Sequence, residues 1–293
     1  GVLLALLSAM LTALSFGELA SRYPEAGFRS AYHFADRFFA RQKNPRYKTL
    51  ARIAKFATGW TAHLYYWIYP GVMVAFMGIL ADYLLRYFGS APTVFGEALL
   101  AASFAAFIGF LALRGITGTT TTSVILNTIQ LTTLVIFGIL AITFRLTNPA
   151  ELSTSDWTYT SAVSVLLPHS VNGVLFQAVL AMILMVGFES STVLAASASN
   201  AQRDIPRGAI IALIIQGVFA YLLGYFAAGF ALNLQIDPAN SHGPIGDLAL
   251  QIGDQLLNGY GTTLMLFFGF TVAVALLGGT LTAINNGVRI SFA

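Results

Sequence analysis

Gly173-Val-Leu-Phe-Gln-Ala-Val-Leu-Ala-Met-Ile-Leu-Met-Val-Gly-Phe-Glu-Ser-Ser-Thr-Val-Leu-Ala-Ala-Ser-Ala198 carries a single ionisable side chain, Glu189. A helix needs about 20 mainly apolar residues to cross the hydrocarbon core of a bilayer, so residues 173–198 are long enough with some to spare. The run does not alternate with period two, which separates it from a strand of an outer-membrane barrel. Its middle breaks the apolar pattern: Gly187 is followed by Phe188, Glu189, Ser190, Ser191 and Thr192. A Gly-centred polar interruption lets a spanning helix unwind for a few residues, provided the freed carbonyls and amides line a cavity or hold a ligand. Such half-helix ends suit a zwitterion, because carbonyl ends attract an ammonium group and amide ends attract a carboxylate. The same residues admit a packing reading, in which Gly187 is a close helix contact and Glu189 a buried acid bonded to Ser190 or a neighbouring span.

Six further apolar runs flank this one, near residues 1–17, 60–85, 94–113, 123–144, 209–232 and 262–287. The chain therefore reads as an all-α integral membrane protein with about seven transmembrane helices. Composition agrees: 57% of the 293 residues are hydrophobic and 9% charged, against the roughly 25% charged of soluble domains. A mean hydropathy of +0.75 leaves too few polar side chains to cover an aqueous surface. Disordered chains, secreted disulfide scaffolds and soluble nucleotide-binding domains are excluded together. Without cysteine there is no thiol catalyst and no Cys-type metal site. No P-loop, paired-His helix motif or Gly-x-Ser-x-Gly elbow is present, so neither an enzyme nor a resident cofactor or metal is expected.

Of fifteen Lys and Arg, nine lie between Arg22 and Lys55, and Arg114, Arg203, Arg207 and Arg289 fall on the same side if spans alternate. Only Arg86 and Arg145 fall opposite. The positive-inside rule then makes the loops at 18–59, 114–122 and 199–208 cytoplasmic, and the segments at 145–172 and 233–261 face outward. The basic residues follow membrane sidedness, so the net charge of +3 does not call for a nucleic-acid partner. Within the basic loop, Arg29, Arg37 and Arg41 can share a polar face and Phe34, Phe38 and Phe39 an apolar one, which describes an interfacial helix whose charges either meet lipid headgroups or, the commoner use of a charge run, form a solvated cytoplasmic face that fixes topology. Tyr65, Tyr66, Trp67 and Tyr69 lie inside the second span and read mainly as bundle packing. The chain starts at Gly1 inside an apolar run and stops at Ala293 just past one, and is expected to be an internal piece of a longer multi-pass protein of the cell membrane.

Other polar groups lie within spans. Asn127 and Gln130 are one helical turn apart and can line a polar path or bond between helices. In the last span, Gly278, Gly279, Thr280, Thr282, Asn285 and Asn286 offer hydroxyls and carbonyls that could coordinate a hard cation such as sodium, or could serve packing.

The stretch Asn200-Ala-Gln-Arg-Asp-Ile-Pro-Arg-Gly-Ala209 closely resembles the loop between the sixth and seventh helices of permeases of the amino acid, polyamine and organocation (APC) superfamily. Asp204 would cap the incoming helix and Pro206 fit its first turn. Glu18-Leu-Ala-Ser-Arg-Tyr-Pro-Glu-Ala-Gly27, Gly59-Trp60, Gly187-Phe188-Glu189 and Asn285-Asn-Gly-Val-Arg-Ile-Ser-Phe-Ala293 match the same family in order. The resemblance implies helices two to eight of a twelve-helix permease with a LeuT-like inverted repeat, and no enzymatic activity. It implies half of a substrate site at Val186, Gly187, Phe188, Glu189 and Ser190, with the carbonyls before Gly187 receiving an amino acid's ammonium. Two positions depart from the family pattern. Met182, Ile183 and Met185 stand where many members carry gating aromatics, and Gln130 stands where many carry a lysine, so proton coupling through a lysine is not expected. Ile183, Gln130 and Glu189 are the gating or coupling candidates, and residues 244–257 are expected to form an outer lid.

The sequence thus predicts a secondary active transporter of amino acids or related amines working by alternating access. Its partners would be that substrate, a proton or sodium as coupling ion, and membrane lipid. The alternative is a non-transporting helical scaffold or receptor-like protein in which the same polar residues serve packing.

Overall fold

The computed structural model describes residues 1–22, 34, 45–114, 120–185, 187–188, 200–236 and 241–291. Its elements are α1 (Val2–Arg22), α2 (Pro45–Tyr87), α3 (Val94–Leu113), α4 (Thr120–Thr147), a 3-10 turn (Thr154–Asp156), α5 (Ala162–Leu166), α6 (Val171–Met185), α7 (Ala201–Val218), a π-helix (Phe219–Ala227), α8 (Ala228–Ala231), α9 (Pro244–Leu256) and α10 (Gly261–Ser291). Among the described residues, six helices are long and apolar enough to cross a membrane: Val2–Leu19, Tyr47–Tyr87, Val94–Leu113, Val124–Thr147, Gln202–Ala231 and Gly261–Asn285. Between 6 and 33% of the residues in the most apolar 18-residue stretch of each are buried within the molecule. The chain is an all-α, multi-pass membrane protein.

Three expected outlines change. The second span is embedded in a helix that begins at Pro45, so residues 45–59 continue it as helix. The run 209–232 is not one regular α-helix: nine residues, Phe219–Ala227, take the wider π form between α7 and α8. The helix also starts earlier than expected, at Ala201, which puts Asp204 in its first turn and Pro206 inside it. The backbone amides of Arg203 and Asp204 bond the Asn200 carbonyl, so Asp204 is not the residue that precedes the helix. The interfacial helix expected around Arg29, Arg37, Arg41, Phe38 and Phe39 lies outside the described residues.

The chain divides into two compact bodies. The first comprises Gly1–Ile68, His169–Val218 and Ala283–Ala293. In it α1 packs on α6 and α7 through small residues, with Ala5 and Ala13 of α1 and Leu213 of α7 fully buried. Gly17 meets Pro206 so closely that a Cβ there would sit 2.9 Å from the proline's Cβ. Close backbone approach is how helices associate where lipid removes the hydrophobic drive. On α2, Tyr66 is buried as a packing residue, whereas Trp67 is 62% exposed.

The second body comprises Tyr69–Pro168 and Phe219–Thr282. Its core joins α4, the π-helix, α8, α9 and α10: the Phe137 and Phe268 rings meet edge-on at 5.4 Å, and Phe144 meets Trp157 at 5.9 Å. The long connection after α4 is tied to the end of α8 by main-chain bonds from Thr158 to the Leu232 carbonyl and from Leu234 to the Asp156 carbonyl. Arg145, at the end of α4, lies over the Trp157 ring at 3.9 Å and donates from Nη2 to the Tyr159 carbonyl. In the 3-10 turn the Ser153 hydroxyl and backbone amide both donate to Asp156, holding its carboxyl below the usual range.

Candidate functional site

Within the first body, α6 ends at Met185 after 15 residues. At 1.5 Å per residue that is about 22 Å, short of the roughly 30 Å hydrocarbon core. Met185 is buried, 1% exposed, and the chain turns immediately after it at Gly187 and Phe188. Gly187 takes φ +118°, a region that excludes side chains and that no α-helix contains. Among the described residues, a Cβ built there would meet nothing within 4 Å, whereas a close helix contact would crowd it. The backbone angle by itself favours glycine at 187.

The C-terminal end of a helix such as α6 carries the negative pole of the helix dipole, which favours positive charge nearby. Phe188 is half-buried, and its ring meets Phe16 of α1 edge-on at 6.3 Å. Phe16 meets Phe34 in turn at 6.4 Å, and Phe34 is 3% exposed. Of the other expected site residues, Ile183 lies exposed in the last turn of α6, and Gln130 is half-buried on α4 in the second body. Val186, Glu189 and Ser190 lie outside the described residues.

Within the second body, the residues expected to form an outer lid make helix α9, with Pro244 in its first turn. Tyr83 of α2 lies on the backbone at the start of α9, so near that a Cβ on Gly246 would be 2.5 Å from the ring's Cζ. Its hydroxyl donates to Asp247 Oδ1 at 2.9 Å, and the Ser241 hydroxyl donates to the other oxygen of the same carboxylate. One residue earlier on α2, the buried carboxylate of Asp82 holds Arg86 Nε at 2.8 Å and the imidazole Nδ1 of His242 at 3.1 Å. Arg86 also reaches Glu97 of α3 at 3.3 Å. Farther along α9, the fully buried Asn233 donates to Gln251 at 2.8 Å, and Gln251 donates to Gln235 at 2.7 Å. Helix α9 is thus held at its N-terminus by α2 and, through Gln251, by the segment that follows α8.

A family model described as "Amino acid permease" matches residues 1–288. The chain belongs to the amino acid permease family. A curated relative, the "Cationic amino acid transporter 4, vacuolar" of Arabidopsis thaliana, is 27% identical over an alignment of 244 residues that covers 79% of this chain. The permease chain spans 37% of that relative's length. No solved structure is significantly similar to it. The family is one of transporters, not enzymes, in keeping with the absence of a catalytic constellation in the sequence.

Several residues that build these two regions of the permease were not singled out from the sequence. Asp82 and Arg86, spaced i and i+4, could be seen as a pair on one helix face. Nothing in the sequence signals that Tyr83 meets Asp247 across 164 residues, or that Asn233 and Gln251 bond. Phe16 could be found only as an aromatic on α1.

Proposed function

We propose that the chain is part of a secondary transporter for amino acids or related amines, with substrate held where α6 stops, at residues 186–190. The observation that carries this is the end of α6 at Met185, followed by Gly187 at φ +118° with open space beside it. In this reading the terminal carbonyls of α6 receive the substrate's ammonium group, and the rest of the site is supplied by other helices of the full-length protein. Glu189 either steadies the unwound segment or carries a proton, and α9 closes over the outer side. The name of the plant relative supports a cationic amino acid as the first substrate to try. The basic loop at 18–59 is cytoplasmic and residues 145–172 face outward, following the positive-inside rule.

The test uses the full-length protein and reads ligand-induced thermal stabilisation with arginine, lysine and leucine, since a ligand that binds the native state raises its stability with occupancy. Wild type should be stabilised by at least one of them, and Gly187→Leu should lose that gain entirely. Gly187→Leu that is still stabilised by ligand as wild type is would overturn the assignment. Glu189→Gln keeps the acid's shape and removes its proton, so exchange retained with proton-driven accumulation lost makes Glu189 the proton carrier.

A further inference from the structure

Helix α2 is far longer than a membrane is thick. Its 43 residues extend about 64 Å, roughly twice the hydrocarbon core. One edge of that core is marked by the charged cluster of Asp82, Arg86 and Glu97. Counting back the 17 to 25 residues that a straight or tilted crossing takes puts the other edge between about residue 57 and residue 65. That edge coincides with an aromatic ladder on one face of α2. Phe56 and Trp60 are stacked at 6.2 Å, Trp60 and His63 at 5.8 Å, and His63 and Trp67 meet at 5.9 Å. Phe56, Trp60 and Trp67 are 72, 55 and 62% exposed, so these rings point away from the body that contains them. Aromatic side chains prefer that depth because their faces are apolar and their edges polar.

In the next turns toward the N-terminus of α2, the exposed side chains of Lys55, Arg52 and Lys48 continue the stripe, at i, i+3 and i+4 spacings from one another and from the ladder. Lys55 and Arg52 then stand at headgroup level, with Lys48 one turn farther out. A stripe that is aromatic at the edge of the hydrocarbon and cationic immediately beyond matches one occupant part by part. The acyl and glycerol portion of a phospholipid lies along the rings, and its negative headgroup meets the basic side chains.

We propose that this face of α2 is a binding site for an anionic phospholipid, with Arg52 and Lys55 holding the headgroup phosphate and Phe56, Trp60 and Trp67 packing on the lipid's apolar part. The proposal requires only that α2 crosses a membrane, and does not depend on residues 186–190 binding substrate.

The experiment uses the full-length protein in a neutral detergent, titrated with phosphatidylglycerol or with phosphatidylcholine of the same chains, and follows thermal melting and retained lipid by native mass spectrometry. Phosphatidylglycerol should bind more tightly and raise the melting temperature more, and this preference should shrink in high salt. A basic residue near an anionic headgroup is worth about fivefold in affinity, so Arg52→Gln with Lys55→Gln should weaken phosphatidylglycerol about 25-fold and leave phosphatidylcholine unchanged. The charge-preserving pair Arg52→Lys with Lys55→Arg should keep most of the preference, which guards against a variant that merely misfolds. Equal stabilisation by the two lipids, or undiminished phosphatidylglycerol affinity in the Gln pair, overturns the site. So does inorganic phosphate stabilising as well as the lipid. If Trp60→Leu converts a dimer to a monomer without altering lipid affinity, the face is a contact between subunits and the proposal fails.

Discussion

Helix α10 and the apolar run 173–198 that begins as α6 both carry glycine near hydroxyl residues, and they behave in opposite ways. In α10, Gly278, Gly279, Thr280 and Thr282 lie inside an unbroken helix of 31 residues. The Thr280 hydroxyl donates to the Leu276 carbonyl at 2.5 Å and the Thr282 hydroxyl to the Gly278 carbonyl at 2.9 Å, each one turn back along the same helix. Gly278 rests against Leu126 of α4, where a Cβ would be 3.4 Å from its Cδ1. In α6 the helix stops, and Gly187 leaves helical space altogether. Glycine next to hydroxyls therefore does not by itself mean an opened helix. What differs is that the α10 hydroxyls are satisfied within the helix, while the α6 sequence places the charged Glu189 two residues past its glycine, and an acid at membrane depth favours a polar surrounding over a lipid-facing helix. The hydroxyls of Thr280 and Thr282 thus give their hydrogens to the backbone of their own helix.

The largest effect that could break this contrast is at Gly187. Gly187→Ala adds a methyl group that touches nothing, so any cost comes from the backbone angle alone, about 1 to 3 kcal/mol if the turn is kept. We expect ligand affinity to fall more than tenfold in the full-length protein, read by titration calorimetry. Unchanged affinity would mean that the turn is not part of the site. Next in size, Thr280→Val removes a buried hydroxyl bond from α10 and should lower thermal stability by about 0.5 to 1.5 kcal/mol with ligand affinity intact. A loss of binding instead would place α10 in the site. Smallest is Gly279→Ala, where a Cβ also meets nothing within 4 Å but the backbone is helical. Alanine should stabilise this helix by about 0.5 to 1 kcal/mol, seen as a rise in melting temperature, and a fall would show that α10 must open. The pair Gly187→Ala and Gly279→Ala thus differs in sign for the same added methyl group.

Much of this arrangement was legible in the residues. Spanning length and low charge identify the helices because a bilayer admits few backbone forms. The excess length of residues 173–198, with Gly187 and Glu189 at its centre, marks the place where α6 stops. The extension of α2 below residue 60 was less legible, since Lys48, Arg52 and Lys55 read as a charged loop although their segment keeps helical spacing. The π-helix at Phe219–Ala227 has no sequence marker among its nine residues, FAYLLGYFA, beyond a single glycine.

By itself the sequence determined the class of the molecule, the family it belongs to and the glycine just before which α6 stops, because each of these follows from local pattern: run length, charge asymmetry and short motifs. Only the tertiary structure decided whether a given glycine is a contact or a turn, since that depends on the backbone angle and on which atoms lie beside it. The same holds at the start of α9, where Tyr83, Asp82, His242 and Asp247 come from distant parts of the chain and acquire their partners only when α2 and α9 are packed together.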